Sequence, residues 1–106
     1  MFAPEDFLAL ARRLIEQDSG EAVLRTVISR AYYSAFLTVR QRLGTEDTSH
    51  KRLWAGVEKI NPSLAEIGQR LRELRNAADY GDAIPDLEKE AGICIRRVNV
   101  LLARVK

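Results

Sequence analysis

Two stretches of this chain hold most of its residues suited to chemistry. In the first, Arg30 stands among alanines and aromatics, with Tyr33 following three residues later. In the second, Arg75, Asn76, Asp79 and Tyr80 fall close together. A guanidinium in an apolar setting needs a carboxylate or a wet cleft, because burying it unpaired is costly. Arg30 therefore reads either as a structural ion pair flanked by packed tyrosines or as the wall of a cationic cleft for phosphate. Arginine presents a planar fork that matches phosphate oxygens. Arg75 and Asp79, four apart on a helix, read either as an exposed pair worth about 0.3–0.5 kcal/mol or as part of a groove in which Arg75 and Asn76 face Arg30. Tyr80 stands where the chain changes direction and reads as a core plug or as part of that groove. His50, ahead of a short apolar helix, reads as a cap or surface residue. Cys94 falls on an apolar stripe and reads as a core residue.

Composition limits the alternatives. The 106 residues amount to one domain, expected over 1–106, and 46% hydrophobic content supports a real core. Seventeen basic and fifteen acidic residues leave a net charge of +2, too balanced to announce nucleic-acid binding, so a basic site must come from local clustering. A single cysteine excludes an internal disulfide and fits a reducing compartment. With one cysteine and one histidine, the cysteine-rich and histidine-rich metal centres are excluded, and neither a metal nor a cofactor is expected. There is no Gly-rich phosphate loop and no Ser-His-Asp set. Glu5 and Asp6 stand where a signal peptide needs basic residues, and no apolar run approaches the ~18 residues of a membrane span. A cytoplasmic location without membrane contact is the expectation.

Helical periodicity must position these residues. A first helix is predicted over about 4–17, with Phe7, Leu8, Ala11, Leu14 and Ile15 on one side. Asp18 and Glu21 have the spacing of a cap for a long second helix over about 20–43. Its apolar surface, widened by Tyr32, Phe36 and Val39, is broader than one flank needs, which points to a central helix that touches several neighbours or a second subunit. After the polar loop 44–49 comes a short helix with Leu53, Trp54, Val57 and Ile60 apolar. Ser63 and Glu66 have capping-box spacing for a fourth helix, whose Leu64, Ile67, Leu71, Leu74 and Ala78 suggest a narrow seam. Pro85 opens a fifth helix with Leu87, Ala91, Cys94, Val98, Leu101 and Val105 inward. No segment alternates like a strand. The fold class is all-α, an up-and-down bundle of about five helices around one long central helix.

Ser29, Arg30, Ala31, Tyr32, Tyr33, Ala35 and Phe36, followed by Arg75, Ala78, Asp79 and Tyr80, resemble two signatures of the HEPN superfamily. These are the Ser-Arg-Ala-Tyr-Tyr-x-Ala-Phe and Arg-x-x-Ala-Asp-Tyr segments of its small stand-alone branch. Ser49, His50 and Lys51 before a short helix also resemble that branch, and the likeness covers roughly 18–105. The resemblance implies a HEPN-like four- or five-helix bundle that pairs as a homodimer. It also implies an RNA- or nucleotide-related role, often in a toxin–antitoxin system with a minimal nucleotidyltransferase as partner. Many HEPN domains are metal-independent ribonucleases that use an arginine followed four to six residues later by a histidine. Arg75 fits the arginine position, and Tyr80 stands where the imidazole is needed. Tyrosine, with a pKa near 10, is a poor proton shuttle at neutral pH. The expectation is a dimeric binding or accessory module whose ligand site uses Arg30, Tyr33, Arg75, Asn76, Asp79 and Tyr80. A ribonuclease with a non-standard site built from Arg75, Tyr80 or His50, and a purely structural adaptor, are the alternatives.

Overall fold

The computed structural model describes residues 3–105, and within them the chain is all helix and loop. Five helices follow in order: α1 (Glu5–Gln17), α2 (Glu21–Leu43), α3 (His50–Ile60), α4 (Pro62–Tyr80) and α5 (Leu87–Val105). Local chemistry sets their ends. Glu5 and Asp6 lie in the first turn of α1, where the exposed N–H groups favour negative charge, and Pro4 stands just before it. The end of α2 is set by Gly44 at φ +67, and that of α4 by Gly81 at φ +78, both in the left-handed conformation that glycine adopts without a Cβ penalty. Ser49 caps α3 by accepting from the Arg52 N–H.

Two expected caps differ. Asp18 does not cap α2: its Oδ1 accepts from the Gly20 N–H, which closes a tight turn, and Gly20 takes the N-cap position. The cap of α4 is Asn61, which accepts from the Leu64 N–H, with Pro62 first in the helix and Ser63 inside it. Asparagine followed by proline competes successfully with the serine because proline needs no N–H partner at the first helical position.

Helix α2 is the central element. It packs against α1, α4 and α5, while α3 rests mainly on α4, and α5 also touches α1 and α4. Leu24, Val27, Ile28, Ala31, Tyr32, Ala35, Phe36 and Val39 of α2 are all buried within this one chain. The breadth that suggested a second subunit is thus covered by the neighbouring helices of the same chain. On α5, Ala91, Cys94, Val98 and Leu101 are buried as the stripe predicts, Ile95 and Leu102 are buried beside them, and Leu87 and Val105 at its ends are only partly buried. The seam of α4 is shifted. Its buried residues are Leu64, Ala65, Gly68, Leu71, Arg75 and Ala78, with Ile67 and Leu74 only partly buried at its flank. No helix among the described residues is long and apolar enough to cross a membrane.

Candidate functional site

The shifted seam of α4 turns Arg75 inward. With only 8% of its surface exposed, Arg75 is the most deeply buried charged residue among those described. Its guanidinium carbon lies 5.3 Å from the centre of the Tyr32 ring and 5.2 Å from that of Tyr33. Arg30 lies 5.7 Å from the same Tyr33 ring and 5.1 Å from that of Phe7 on α1. Tyr33 is thus the shared neighbour of the two arginines. Such cation–ring contacts contribute about 0.5–2 kcal/mol each, more when desolvated. They give the guanidiniums no hydrogen bonds, and the Nε atoms of both Arg30 and Arg75 are buried without a partner. Among the described residues Arg30 is therefore met by rings and by no ion-paired carboxylate.

The polar contacts of Arg75 are sparse. Its Nη1 donates to Asp79 Oδ2 at 3.4 Å, which is loose beside the roughly 2.7–2.9 Å of a good charge-assisted bond. The same carboxylate oxygen accepts from the Ser29 hydroxyl on α2 at 3.5 Å. Arg75 and Asp79 are therefore not the fully exposed pair that their spacing allows: the arginine is buried, while Asp79 is at the surface with one-third of its side chain exposed.

His50 belongs to this cluster. It is the first residue of α3, not its cap, and its ring stacks on Phe36 with centres 4.0 Å apart and planes 15° apart. It also lies against Tyr32 and edge-on to Tyr33. The Tyr32 hydroxyl is 2.6 Å from His50 Nδ1, and the Trp54 Nε1–H donates to the same hydroxyl at 3.1 Å. An indole can only donate, so the Tyr32 oxygen accepts from Trp54. Its own proton, in a fully buried residue with no further acceptor among the described residues, goes to His50 Nδ1. The neutral imidazole then carries its proton on Nε2.

Electrostatics keep that imidazole neutral. Burial lowers the affinity of His50 for a proton, and the positive charges of Arg75, Arg72 and Arg40 lower it further, below the ordinary value near 6.5. Burial likewise pushes the Tyr32 hydroxyl up to about 12, against the smaller opposing pull of its Trp54 bond and of Arg75 and Arg72. Tyr32 is thus a fixed hydrogen-bonding hub and not an acid or base near neutral pH. Arg40 also lies 5.8 Å from the Phe36 ring. Arginines from α2 and α4 surround an aromatic nest into which α3 inserts its histidine.

The placement of the sequence candidates is uneven. Arg30, Tyr33, Arg75, Asp79 and His50 come together. Asn76 is half-buried about 100° round the helix from Arg75. Tyr80 is 76% exposed, so it is not a core plug, and it is absent from the ring contacts of the cluster. As the last residue before Gly81 it has lost the flanking turns that would bury it. Sequence reasoning missed Arg40, Arg72 and Arg25. The first two carry a readable signal: Ser29, Tyr33, Phe36 and Arg40 recur at helical spacing on α2, as Arg72, Arg75 and Asp79 do on α4. Arg25 acts through the backbone. Its guanidinium donates to the carbonyls of Ala77, Ala78 and Asp82, pinning the C-terminal turn of α4 to α2. The Ala77 carbonyl also accepts from the N–H groups of Gly81 and Asp82, and carbonyls at the C-terminal end of a helix favour a cation.

Chemically, the cluster offers strong donors and ring faces but few acceptors, which suits an anion. Among the described residues no three His, Cys, Asp or Glu side chains converge as a metal site. Comparison of the chain with protein-family models, with curated proteins and with solved structures finds no match.

Proposed function

We propose that this chain is a HEPN-like binding module that holds a phosphate group of an RNA or a nucleotide at the Arg75 cluster. The observation that carries the reading is the buried guanidinium of Arg75, whose Nε has no hydrogen-bond partner and whose carboxylate contact is loose. Desolvating a cation is costly, and an incoming anion would supply the bonds the fold leaves unmade. Arg30, Arg40 and Arg72 add positive charge around it, and the Nε2–H of His50 adds a neutral donor.

Cleavage is the weaker reading, although His50 and Arg75 share the two tyrosine rings as neighbours. A general base that takes the proton of an RNA 2′-hydroxyl needs a free ring nitrogen. The Tyr32 bond engages Nδ1 and leaves the proton on Nε2, which donates to an anion and accepts nothing. The resemblance also brings a homodimer and an accessory role beside a minimal nucleotidyltransferase in a toxin–antitoxin setting. For the dimer, the supporting feature is a shallow apolar groove where the ends of α2, α3 and α5 meet, with Leu43 and Ile60 exposed on its rim.

The test is titration calorimetry with a nucleoside 5′-monophosphate and with a short RNA, on the parent, Arg75→Ala and Arg75→Lys. Binding should fall with salt in proportion to the phosphates contacted. It should be lost in Arg75→Ala and weakened in Arg75→Lys, which keeps the charge without the fork. Equal binding by the parent and Arg75→Ala would remove the reading. RNA cleavage in EDTA that disappears in His50→Ala would replace it with a ribonuclease. Light scattering that shows only monomer at micromolar concentration would remove the dimer.

A further inference from the structure

We infer that Asp79 is an internal competitor for the anion site: its carboxylate holds the Arg75 guanidinium in the unliganded protein and must be displaced for a phosphate to bind. The inference rests on the phosphate-binding reading and adds what controls it.

Asp79 sits one helical turn beyond Arg75, close enough for an ion pair, yet both of its contacts are long. Arg75 Nη1 is 3.4 Å away and the Ser29 hydroxyl 3.5 Å away, both reaching the same oxygen, Oδ2. An anion seated for permanent structural duty on a buried arginine would take the fork with both oxygens. Even the exposed Arg52 is gripped in this way, by both oxygens of Asp47 at 2.6 and 2.8 Å. Asp79 engages one arm and leaves the buried Nε empty. It also occupies the last turn of α4, where the helix dipole disfavours a negative charge. A carboxylate that is loosely held, one-third exposed and badly placed for its helix can be displaced.

A terminal phosphate monoester is the ligand class that fits this place. Arg75 exposes too little surface for a phosphodiester flanked by sugars on both sides. A terminal phosphate enters by one end, as the carboxylate does, and brings a charge of about −1.5 to −2 at neutral pH against the carboxylate's single charge. Ser29 then becomes the residue that sets the strength of the competition, because its hydroxyl is the second group holding Asp79 inward.

The experiment is calorimetric titration of inorganic phosphate and of a nucleoside 5′-monophosphate into the parent, Asp79→Asn, Ser29→Ala and Arg75→Ala. Asp79→Asn is expected to bind on the order of 10-fold tighter, equivalent to about 1.4 kcal/mol. Ser29→Ala should bind about twofold tighter by the smaller effect of loosening the same carboxylate. If Asp79→Asn fails to fold, Ser29→Ala and carboxyl-carbon NMR of the parent carry the test, since phosphate should shift the Asp79 resonance as its pair with Arg75 breaks. Binding lost in Arg75→Ala but unchanged or weakened in Asp79→Asn would overturn the competition and leave the phosphate site standing. An Asp79 resonance unmoved at saturating phosphate, with Ser29→Ala binding like the parent, would do the same. Phosphate bound by neither the parent nor Asp79→Asn would overturn both.

Discussion

His50 carries the most informative side chain of the site because three helices determine its state. Phe36, Tyr32 and Tyr33 of α2 supply its ring contacts, Arg40 of α2 and Arg72 and Arg75 of α4 supply positive charge, and its own α3 sets where it enters. Asp79 on α4 is the carboxylate that offsets part of that charge, through its pair with Arg75. Burial is the first cause of the depressed proton affinity and the arginines are the second. The unfolded chain, with an ordinary histidine near 6.5, then binds more protons than the folded one in the window just below that value. Stability contributed by the neutral imidazole is therefore complete above about pH 6.5 and declines as the pH falls from there toward the lower folded-state value. Urea unfolding at pH values spanning that window should show the parent losing stability as acid is added. His50→Asn, which keeps an acceptor for the Tyr32 hydroxyl but does not titrate, should lose less over the same range. Parallel slopes for the two proteins would show that His50 is free to protonate in the fold.

Helices α3 and α4 meet through a fit that the sequence leaves almost invisible. A Cβ built on Gly68 would lie 2.2 Å from Cζ3 of Trp54, and Trp54 is fully buried. Gly68 is thus the notch that lets the indole lie flat across α4 while its Nε1–H reaches Tyr32. Gly68→Ala would gain up to about 1 kcal/mol of helix propensity. It would lose roughly 1–3 kcal/mol or more to overpacking against a ring that has no room to move. A lower melting temperature is expected, and Trp54→Phe in the Gly68→Ala background should recover part of the loss by removing the clashing atoms. A more stable Gly68→Ala protein would refute the notch. This contact also explains which parts of the molecule were legible. The number and order of helices and the middle of the inward stripes of α2 and α5 followed from apolar periodicity, because leucine, valine and alanine there do one job, while Leu43, Leu87 and Val105 at the helix ends are not fully buried. On α4 the same rule chose Ile67 and Leu74, while the true seam runs through Gly68 and Arg75. Those two residues are buried for what they contact, a tryptophan edge and two tyrosine faces, which hydrophobic pattern does not record. The site was half legible for a similar reason. Arg30, Tyr33, Arg75 and Asp79 stood out by type, whereas His50 joins them through the placement of α3, and Arg25 acts on carbonyls that no sequence displays. Tyr80 stood out by type as well, but the helix ends beneath it.

Across the whole molecule the five helices are held unequally, and the inequality bears on how a ligand would be felt. Helices α1, α2, α4 and α5 share a continuous core, with α2 against each of the other three. Helix α3 rests chiefly on α4, and its buried anchors are Leu53, Trp54 and Val57. Its solvent side carries Lys51, Arg52, Glu58 and Lys59 exposed, and Ile60 at its end is 73% exposed. Eleven residues are too few for a helix to persist by itself in water, so α3 depends on those anchors and on the Tyr32–His50 bond. Local opening is cheapest where an element has few buried contacts, so α3 should open more readily than the rest of the bundle. Because His50 enters the arginine cluster from α3, an anion bound as proposed through its Nε2–H would bind only the closed form and stabilise that helix by mass action. Amide hydrogen exchange followed by mass spectrometry should show 50–60 exchanging faster than the inner turns of α2 and α5 in the free protein. Saturating nucleoside 5′-monophosphate should slow exchange in α3 by about the factor 1 + [L]/Kd if every opening of α3 expels the ligand. In Arg75→Ala the protection should vanish along with binding. Protection confined to α4, with α3 exchanging at its free rate in the saturated parent, would show that the anion is held by arginine alone and that His50 is a packing residue.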